Sequence, residues 1–489
     1  MPIDPRYLDA LRRLVQPIRA ADLPHTLAPM QALLAALDQP HAAYPSIVVA
    51  GSVGKGTTCW KLATLLRAAG LKVGLYTSPH LHLFRERMQI LLPDRLRVGQ
   101  ENISPVNSAV RTPPAPASNP QSDLADTVMI SPAEFVEGEA AVRAAAGDHR
   151  YSTFEAATAL ALWWFNRCRV DVAVLEVGLG GRFDAVNAVP NALAVITPLE
   201  AEHLAMLGGT LESVAWHKAG IIQPGGVAIT CPQPAPLMAI LEQEAAAKGA
   251  RLVVVEDGDD LGKVVVAALT PPPSPLTEFR EGESVPDTSA FPGNAPSRAS
   301  SVSGAVQLAE AGFPSIAGGF EPPASMISPP ARLESLQRFG RSVIIDGAHT
   351  PSAARRLKAY IDDRTAEPCC VIAGMLRDKA VGETLRPFDL PGYRLILTTA
   401  PGDRALPADE LFERAALTQA EVEVIPALEK ALGRAQTCPE RTVIVTGSLR
   451  MAAAAREAYG LLTPDELEEA RATRAIFEGA EYRRRLTAF

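Results

Sequence analysis

The apolar run Ile47-Val48-Val49-Ala50 leads directly into Gly51-Ser52-Val53-Gly54-Lys55-Gly56-Thr57-Thr58 and then into an alanine- and leucine-rich stretch. A strand, a glycine loop, and Lys and Thr at the start of a helix make a phosphate cradle. Backbone N–H groups face the oxyanions, Lys55 neutralises them, and the Thr57 hydroxyl is placed to ligate Mg²⁺. The spacing departs from the strict Walker A pattern, because the first glycine lies too close and Gly56 separates Lys55 from Thr57. A glycine-rich turn carrying a solvated lysine is the competing reading, and the strand before and helix after weigh against it.

A second group of chemistry-bearing residues lies in LEVGLGGRFDAVNAV, Leu175 to Val189. Glu176 ends an apolar strand. The C-terminal end of a parallel strand is where α/β sheets bind ligands, so this carboxylate can hold a metal that bridges nucleotide phosphates. It can equally be a helix cap or a surface acid. Further on, Glu202-His203 follows the strand-like ALAVITP, and His217-Lys218 lies near the end of a helix-like run. Taken alone, a histidine is more often structural than a ligand, and Lys218 reads as surface charge.

The elements that must position these residues follow from the pattern of apolar runs. SIVVAG, KLATLLRAAG, KVGLYT, FEAATALALWWF, DVAVLEVG and ALAVITP give strands and helices in alternation, the pattern of a parallel sheet covered by helices. The alternation resumes in RSVIIDGA, SAARRLKAYI, CCVIAGM, YRLILTT and RTVIVTG. Between and within these runs, residues 103–132 and 270–330 are rich in Pro, Ser and Asn and hold too little apolar surface to offset ordering entropy. The expected organisation is therefore α/β throughout. A P-loop parallel-sheet domain covers 1–328 and carries both insertions, and a smaller Rossmann-like α/β domain covers 333–489. The tail 462–489 reads as one or two charged helices packed loosely on the second domain.

Composition fits this organisation. A chain of 489 residues is too long for one ordinary core. Its 47% hydrophobic and 21% charged residues are globular composition. The net charge of −8 argues against a nucleic-acid groove or a basic membrane surface. Six cysteines without CxxC spacing suggest neither a zinc site nor a disulfide framework, so a reduced, cytoplasmic setting is expected. No leader or membrane span is apparent.

The ordered set VAGSVGKGTT, LYTSPHL, RERMQI, TFEAATALA, LEVGLGGRFDAVNAV, EHLAMLG, HKAGII, RLES, DGAHTPSAA, GMLRDKA and VTGSL resembles the folylpolyglutamate synthase and dihydrofolate synthase family of the Mur ligase superfamily. The resemblance runs from about Leu27 to about Gly460. It implies an ATP-dependent ligase of Mur architecture, acting as a monomer, that joins L-glutamate to a pteroate or folate carboxylate through an acyl phosphate. ATP would be held by Gly51, Ser52, Gly54, Lys55, Gly56, Thr57 and Thr58, with Arg332 on the phosphates and Asp346 on the ribose. Two Mg²⁺ ions would be bound by Thr57, Ser78, Glu176, His203 and a Lys218 carbamylated by CO₂. Substrates would meet Ser78, Pro79, His80, His349 and Ser448, with Lys55, Lys218 and His349 as the catalytic set.

The chain also departs from that family at several positions. Ser52 and Val53 stand where the family usually has Thr and Asn, Glu202 where it has Asp, His217 where it has an acid, and Thr350 where it has Asn. The family segment with a His-Gln pair and an adenine-contacting Asn, expected just after Pro292-Gly293, is replaced here by NAPSRASSVSG. A ligase acting on another carboxylate, or a nucleotide-binding relative without turnover, are the alternative readings.

Overall fold

The computed structural model describes residues 3–15, 26–93, 127–149, 151–255 and 329–479. Most of both Pro-rich stretches, the segment after Pro292-Gly293 and the last ten positions lie outside the described residues.

Two sheets organise the chain. The first is built from β1 (Ser46–Ala50), β2 (Val73–Tyr76), β3 (Met88–Leu91), β4 (Thr127–Met129), β5 (Val172–Glu176), β6 (Leu193–Ile196), β7 (Val227–Thr230) and β8 (Arg251–Val254). Its spatial order is β4-β3-β2-β5-β1-β6-β7-β8. Pairing is parallel from β2 across to β8 and antiparallel at the β2–β3 and β3–β4 edge. The second sheet holds β9 (Glu334–Arg338), β10 (Arg341–Ile345), β11 (Cys370–Ala373), β12 (Arg394–Leu397), β13 (Glu421–Val424) and β14 (Thr442–Thr446). Their order is β13-β12-β11-β14-β10-β9, all parallel except the β9–β10 pair.

The central strands read as unbroken apolar runs because both of their faces are covered. Alternate side chains of β1 go to opposite cores, as the pleat requires. Val48 and Ala50 join Tyr7, Leu33, Phe135 and Phe165 on one face. Ile47 and Val49 join Cys59, Leu62 and Leu66 of helix Lys55–Ala68 on the other. The helices over the first face start on reciprocal caps: Ser131 with Glu134, and Ser152 with Glu155.

Two expectations change. Residues 127–132, expected inside an unfolded insertion, form β4 and the start of helix Pro132–Ala146, with Met129 opposite Gln89. A three-residue edge strand is too short to show as a period-2 pattern in a polar neighbourhood. The tail helix Pro464–Glu478, expected to lie loosely on the second unit alone, is held to both units: Arg474 pairs with Glu457 of the second, and Glu469 pairs with Arg85 of the first at 2.6 Å. Strands β9 and β13, ESLQR and EVEV, escaped the sequence reading because as half-exposed edges they carry few large apolar groups. Among the described residues no helix is long and apolar enough to cross a membrane.

Candidate active site

The C-terminal ends of β2, β5, β1 and β6 lie side by side, and the phosphate loop leaves from the middle of them. Gly51, the first residue after β1, has φ +145°, and a Cβ there would sit 1.8 Å from Thr197 Oγ1 at the end of β6. The loop thus lies flat against the next strand. Gly54 takes φ +88° and starts helix Lys55–Ala68 without any side-chain cap. The first-turn amides are consequently left to an outside acceptor, and the helix dipole favours an anion there. Ser52 and Val53 do not face that space with their amides, since both donate to Pro198 O, at 3.0 and 3.3 Å. The Ser52 hydroxyl donates to Glu200 O at 2.9 Å, which ties the loop to the segment carrying Glu202 and His203.

Five ionisable groups, Lys55, Glu202, Lys218, Asp184 and Glu176, cluster around this loop. Lys55 Nζ folds back onto Gly51 O at 2.9 Å and Ser52 O at 3.3 Å, and stands 3.9 Å from Glu202 Oε2. Lys218, from helix Leu211–Ala219, is only 3% exposed and donates to Gly51 O at 2.6 Å. Its burial, reinforced by the charge of Lys55, lowers its pKa to about 7 against the opposing pull of Glu202 and Asp184. Asp184 is buried too and is pushed up to about 7, although its carboxylate accepts from the amides of Gly178, Leu179 and Val186. Burial also raises Glu176, opposed first by Lys55 and then by the Ser78 amide, which donates to Glu176 Oε2 at 2.8 Å.

The remaining first-unit candidates divide. Thr57 and Thr58 lie half-buried on the first turn of the phosphate-loop helix. Exposed Pro79 follows Ser78 in the same loop. His80 is held by its neighbours: its Nδ1 accepts from Arg87 Nε at 3.0 Å and its ring packs on Phe84 and Phe477. His203, exposed and at φ +55°, is 3.7 Å from Glu202 Oε1. His217, where the family has an acid, packs between the rings of Phe183 and Trp216.

Hard oxygen donors with room between them suit Mg²⁺. Glu176 supplies a buried carboxylate, and Thr197 Oγ1 is buried with no hydrogen bond of its own. A Cβ on Gly56 would stand 3.4 Å from Glu176 Oε2, so the missing side chain keeps that space open. The residues fit a divalent cation beside the phosphate loop. Gly56→Ala is therefore expected to raise thermal stability slightly, by up to about 1 kcal/mol, while weakening Mg²⁺-nucleotide binding. Thermal shift with and without Mg²⁺-ATP separates the two effects.

From the second unit, Arg332 exerts its charge on both Glu176 and Asp346. Both Asp346 oxygens are taken by backbone amides: Oδ1 accepts from Ala348 at 2.7 Å and Oδ2 from Leu333 at 2.8 Å. Asp346 thus shapes the turns that present Arg332 and His349. His349 Nδ1 is 2.8 Å from Gly347 O, and its ring feels Lys379, Arg332 and Glu202, although burial is what chiefly lowers its pKa. Ser448 is 3% exposed, caps helix Leu449–Ala458 through the Met451 amide at 3.1 Å, and donates to Gly374 O at 3.3 Å. Its hydroxyl is occupied in holding the fold. Thr350 caps helix Pro351–Asp362, a task that either Asn or Thr performs.

Sequence reasoning passed over Lys379 and Thr197. The charge of Lys379 acts on His203 and His349 together, and its only sequence signal was its place in GMLRDKA. Cys370, Cys438 and Glu440 also cluster, but Glu440 is already bound by Arg394 at 3.2 Å and burial raises both thiols.

A P-loop sheet joined to a second α/β unit is Mur-ligase-like architecture, and residues 331–449 match the family described as Mur ligase, glutamate ligase domain. The chain is 33% identical over 415 residues to the dihydrofolate synthase/folylpolyglutamate synthase of Escherichia coli, covering 83% of this chain and 84% of that protein. It therefore belongs to the folylpolyglutamate synthase/dihydrofolate synthase family. A probable bifunctional folylpolyglutamate synthase/dihydropteroate synthase of Haloferax volcanii is 31% identical over 87% of this chain, which spans only about half, 47%, of that relative's length. A crystal structure of the bifunctional folylpolyglutamate synthase/dihydrofolate synthase of Yersinia pestis, complexed with AMPPNP and Mn, superposes with a TM-score of 0.63 at 26% identity. That match covers 89% of this chain and 94% of the other.

Proposed function

We propose that the chain is an ATP-dependent ligase that joins L-glutamate to a pteroate or folate carboxylate through an acyl phosphate. The observation that carries this reading is the convergence of Lys55, Lys218 and Glu176 on one phosphate loop, faced by Arg332 and His349 from the second unit. The names of the relatives add the substrate class.

A carboxylate is a poor electrophile, so the γ-phosphoryl of ATP must first be transferred to it, in line, with charge spreading over the phosphoryl oxygens. The amides of the Gly54–Thr57 turn, Lys55 and Arg332 stabilise that charge from both sides. The glutamate amine then attacks the acyl carbon and phosphate leaves, giving an amide, ADP and inorganic phosphate. Bound Mg²⁺, two ions on this reading, supplies Lewis-acid charge at the phosphates. Thr57, Ser78, Glu176, His203 and Lys218 would hold it, with Asp346 and Ser448 supporting the ribose and glutamate subsites by shaping their turns. The acyl phosphate is destroyed by water, which is the reason for building the site between two units.

Lys218 is the group on this reading that becomes carbamylated. Its low pKa leaves the amine about half neutral at pH 7, and only the neutral amine adds to CO₂. Because the folded pKa is depressed, the reactive fraction rises as pH rises through about 7. Added bicarbonate is expected to raise activity, most on the alkaline side of that value, and labelled bicarbonate to give a ¹³C carbamate resonance absent from Lys218→Ala. Six cysteines outside any disulfide are in keeping with a reducing cytoplasmic setting, and a monomer is expected. Mass spectrometry of acceptors incubated with ATP and glutamate tests the function. A glutamylated pteroate or folate supports it, and modification of other carboxylates alone would move the chain to a different ligase specificity.

A further inference from the structure

The helix Pro464–Glu478 follows the second sheet in sequence yet lies against residues 78–87 of the first unit, the loop whose front end carries Ser78. Glu469 grips one edge of the Arg85 guanidinium, accepting from Nε at 2.9 Å on Oε1 and from Nη2 at 2.6 Å on Oε2. The other terminal nitrogen, Nη1, donates to Ile130 O at 2.8 Å. Both partners are nearly buried, with side chains 12% and 8% exposed. Farther along the helix, Phe477 stacks on Phe84 with centroids 5.9 Å apart and packs on His80 at 5.3 Å.

This helix is also tied to the second unit, because Arg474 pairs with Glu457 of helix Leu449–Ala458. The same Glu457 lies 3.5 Å from His82 of the loop. In return, Leu81 packs into the second core, around Val343 and Val445. The loop keeps its shape through Glu86, whose carboxylate accepts from the amides of Leu81, His82 and Leu83 at 2.6 to 3.0 Å. At its far end the Ser78 amide reaches Glu176. A rigid, doubly bonded ion pair and a ring stack therefore hold the back of a loop whose front touches the centre of the site.

We propose that Glu469 and Phe477 are positioning residues. Through Arg85 and Phe84 they fix loop 78–87 so that Ser78 stays on Glu176, and they make that contact depend on where the second unit sits. The kinetic part of this inference rests on the ligase reading, in which the loop meets the acceptor; the structural part does not.

The test uses the full chain with Glu469→Gln, Phe477→Ala and the conservative Phe477→Tyr. Hydrogen exchange is followed at the amides of Leu81, His82 and Leu83 and, as a reference, along β1 and β10. Exchange at the loop amides is expected to rise about tenfold or more in the first two variants, with the strand amides unchanged and Phe477→Tyr close to wild type. The acceptor KM should rise by about the same factor, while nucleotide affinity stays within about twofold of wild type. Uniform acceleration in loop and strands alike would reveal general destabilisation and overturn the proposal, as would wild-type exchange and kinetics in both variants. If the wild type turns over no acceptor, the ligase reading fails while the exchange comparison still decides the positioning.

Discussion

Lys55→Ala is expected to reduce acceptor-dependent phosphate release by at least about 10²–10³-fold, the scale for removing one preorganised charge at developing negative charge. Lys55 is the cation placed at the uncapped helix start, and in the structure its ammonium is held by the loop carbonyls of Gly51 and Ser52. After burial, the same charge helps to lower the Lys218 pKa. Its removal lifts the Lys218 pKa, so the activity left in the variant should show a pH profile moved to the alkaline side. A pH–rate series on wild type and variant checks both the size of the loss and the direction of that movement. Retained activity in Lys55→Ala would mean that the phosphate is held elsewhere.

Gly51→Ala is expected to destabilise the first unit by roughly 2–6 kcal/mol, combining a backbone conformation that L side chains rarely adopt with overpacking against β6. The added Cβ would overlap Thr197 Oγ1 and come within 2.9 Å of Thr197 Cβ and 3.0 Å of its backbone nitrogen. Relief by side-chain movement is therefore limited. Urea denaturation should show a lower midpoint, and Thr197→Gly in the same chain should recover only part of it, since φ +145° remains. Full recovery would put the whole effect in the side-chain overlap.

The phosphate loop was legible in the sequence because every part of its chemistry is local. Strand, glycines, Lys55 and Thr57 are consecutive, and the residues on either side could be read as strand and helix. Glu176 was half legible: its place at a strand end could be read, but its burial beside Lys55 and its bond to the Ser78 amide are long-range facts. Lys218 shows the limit more sharply. Nothing in its own helix distinguishes it from a surface lysine, and its low pKa arises only when the helix packs on Gly51. Asp346 and Ser448 illustrate the opposite case. The resemblance alone implied ligand contacts for them, and what the fold itself shows is their oxygens capping and bracing backbone turns. The tail helix was read correctly as a helix from its Thr-Pro-Asp start, but which surface it covers depends on a partner, Arg85, far away in sequence.

On the ligase reading, ATP hydrolysis in this chain is tied to amide formation. Phosphate release from ATP and Mg²⁺ measured with a pteroate or folate acceptor, with L-glutamate, with both and with neither tests it most directly, with Lys55→Ala as the blank. Release that requires acceptor and glutamate together and disappears in the blank is the predicted result. Release that proceeds equally without either, or persists in the blank, would contradict it.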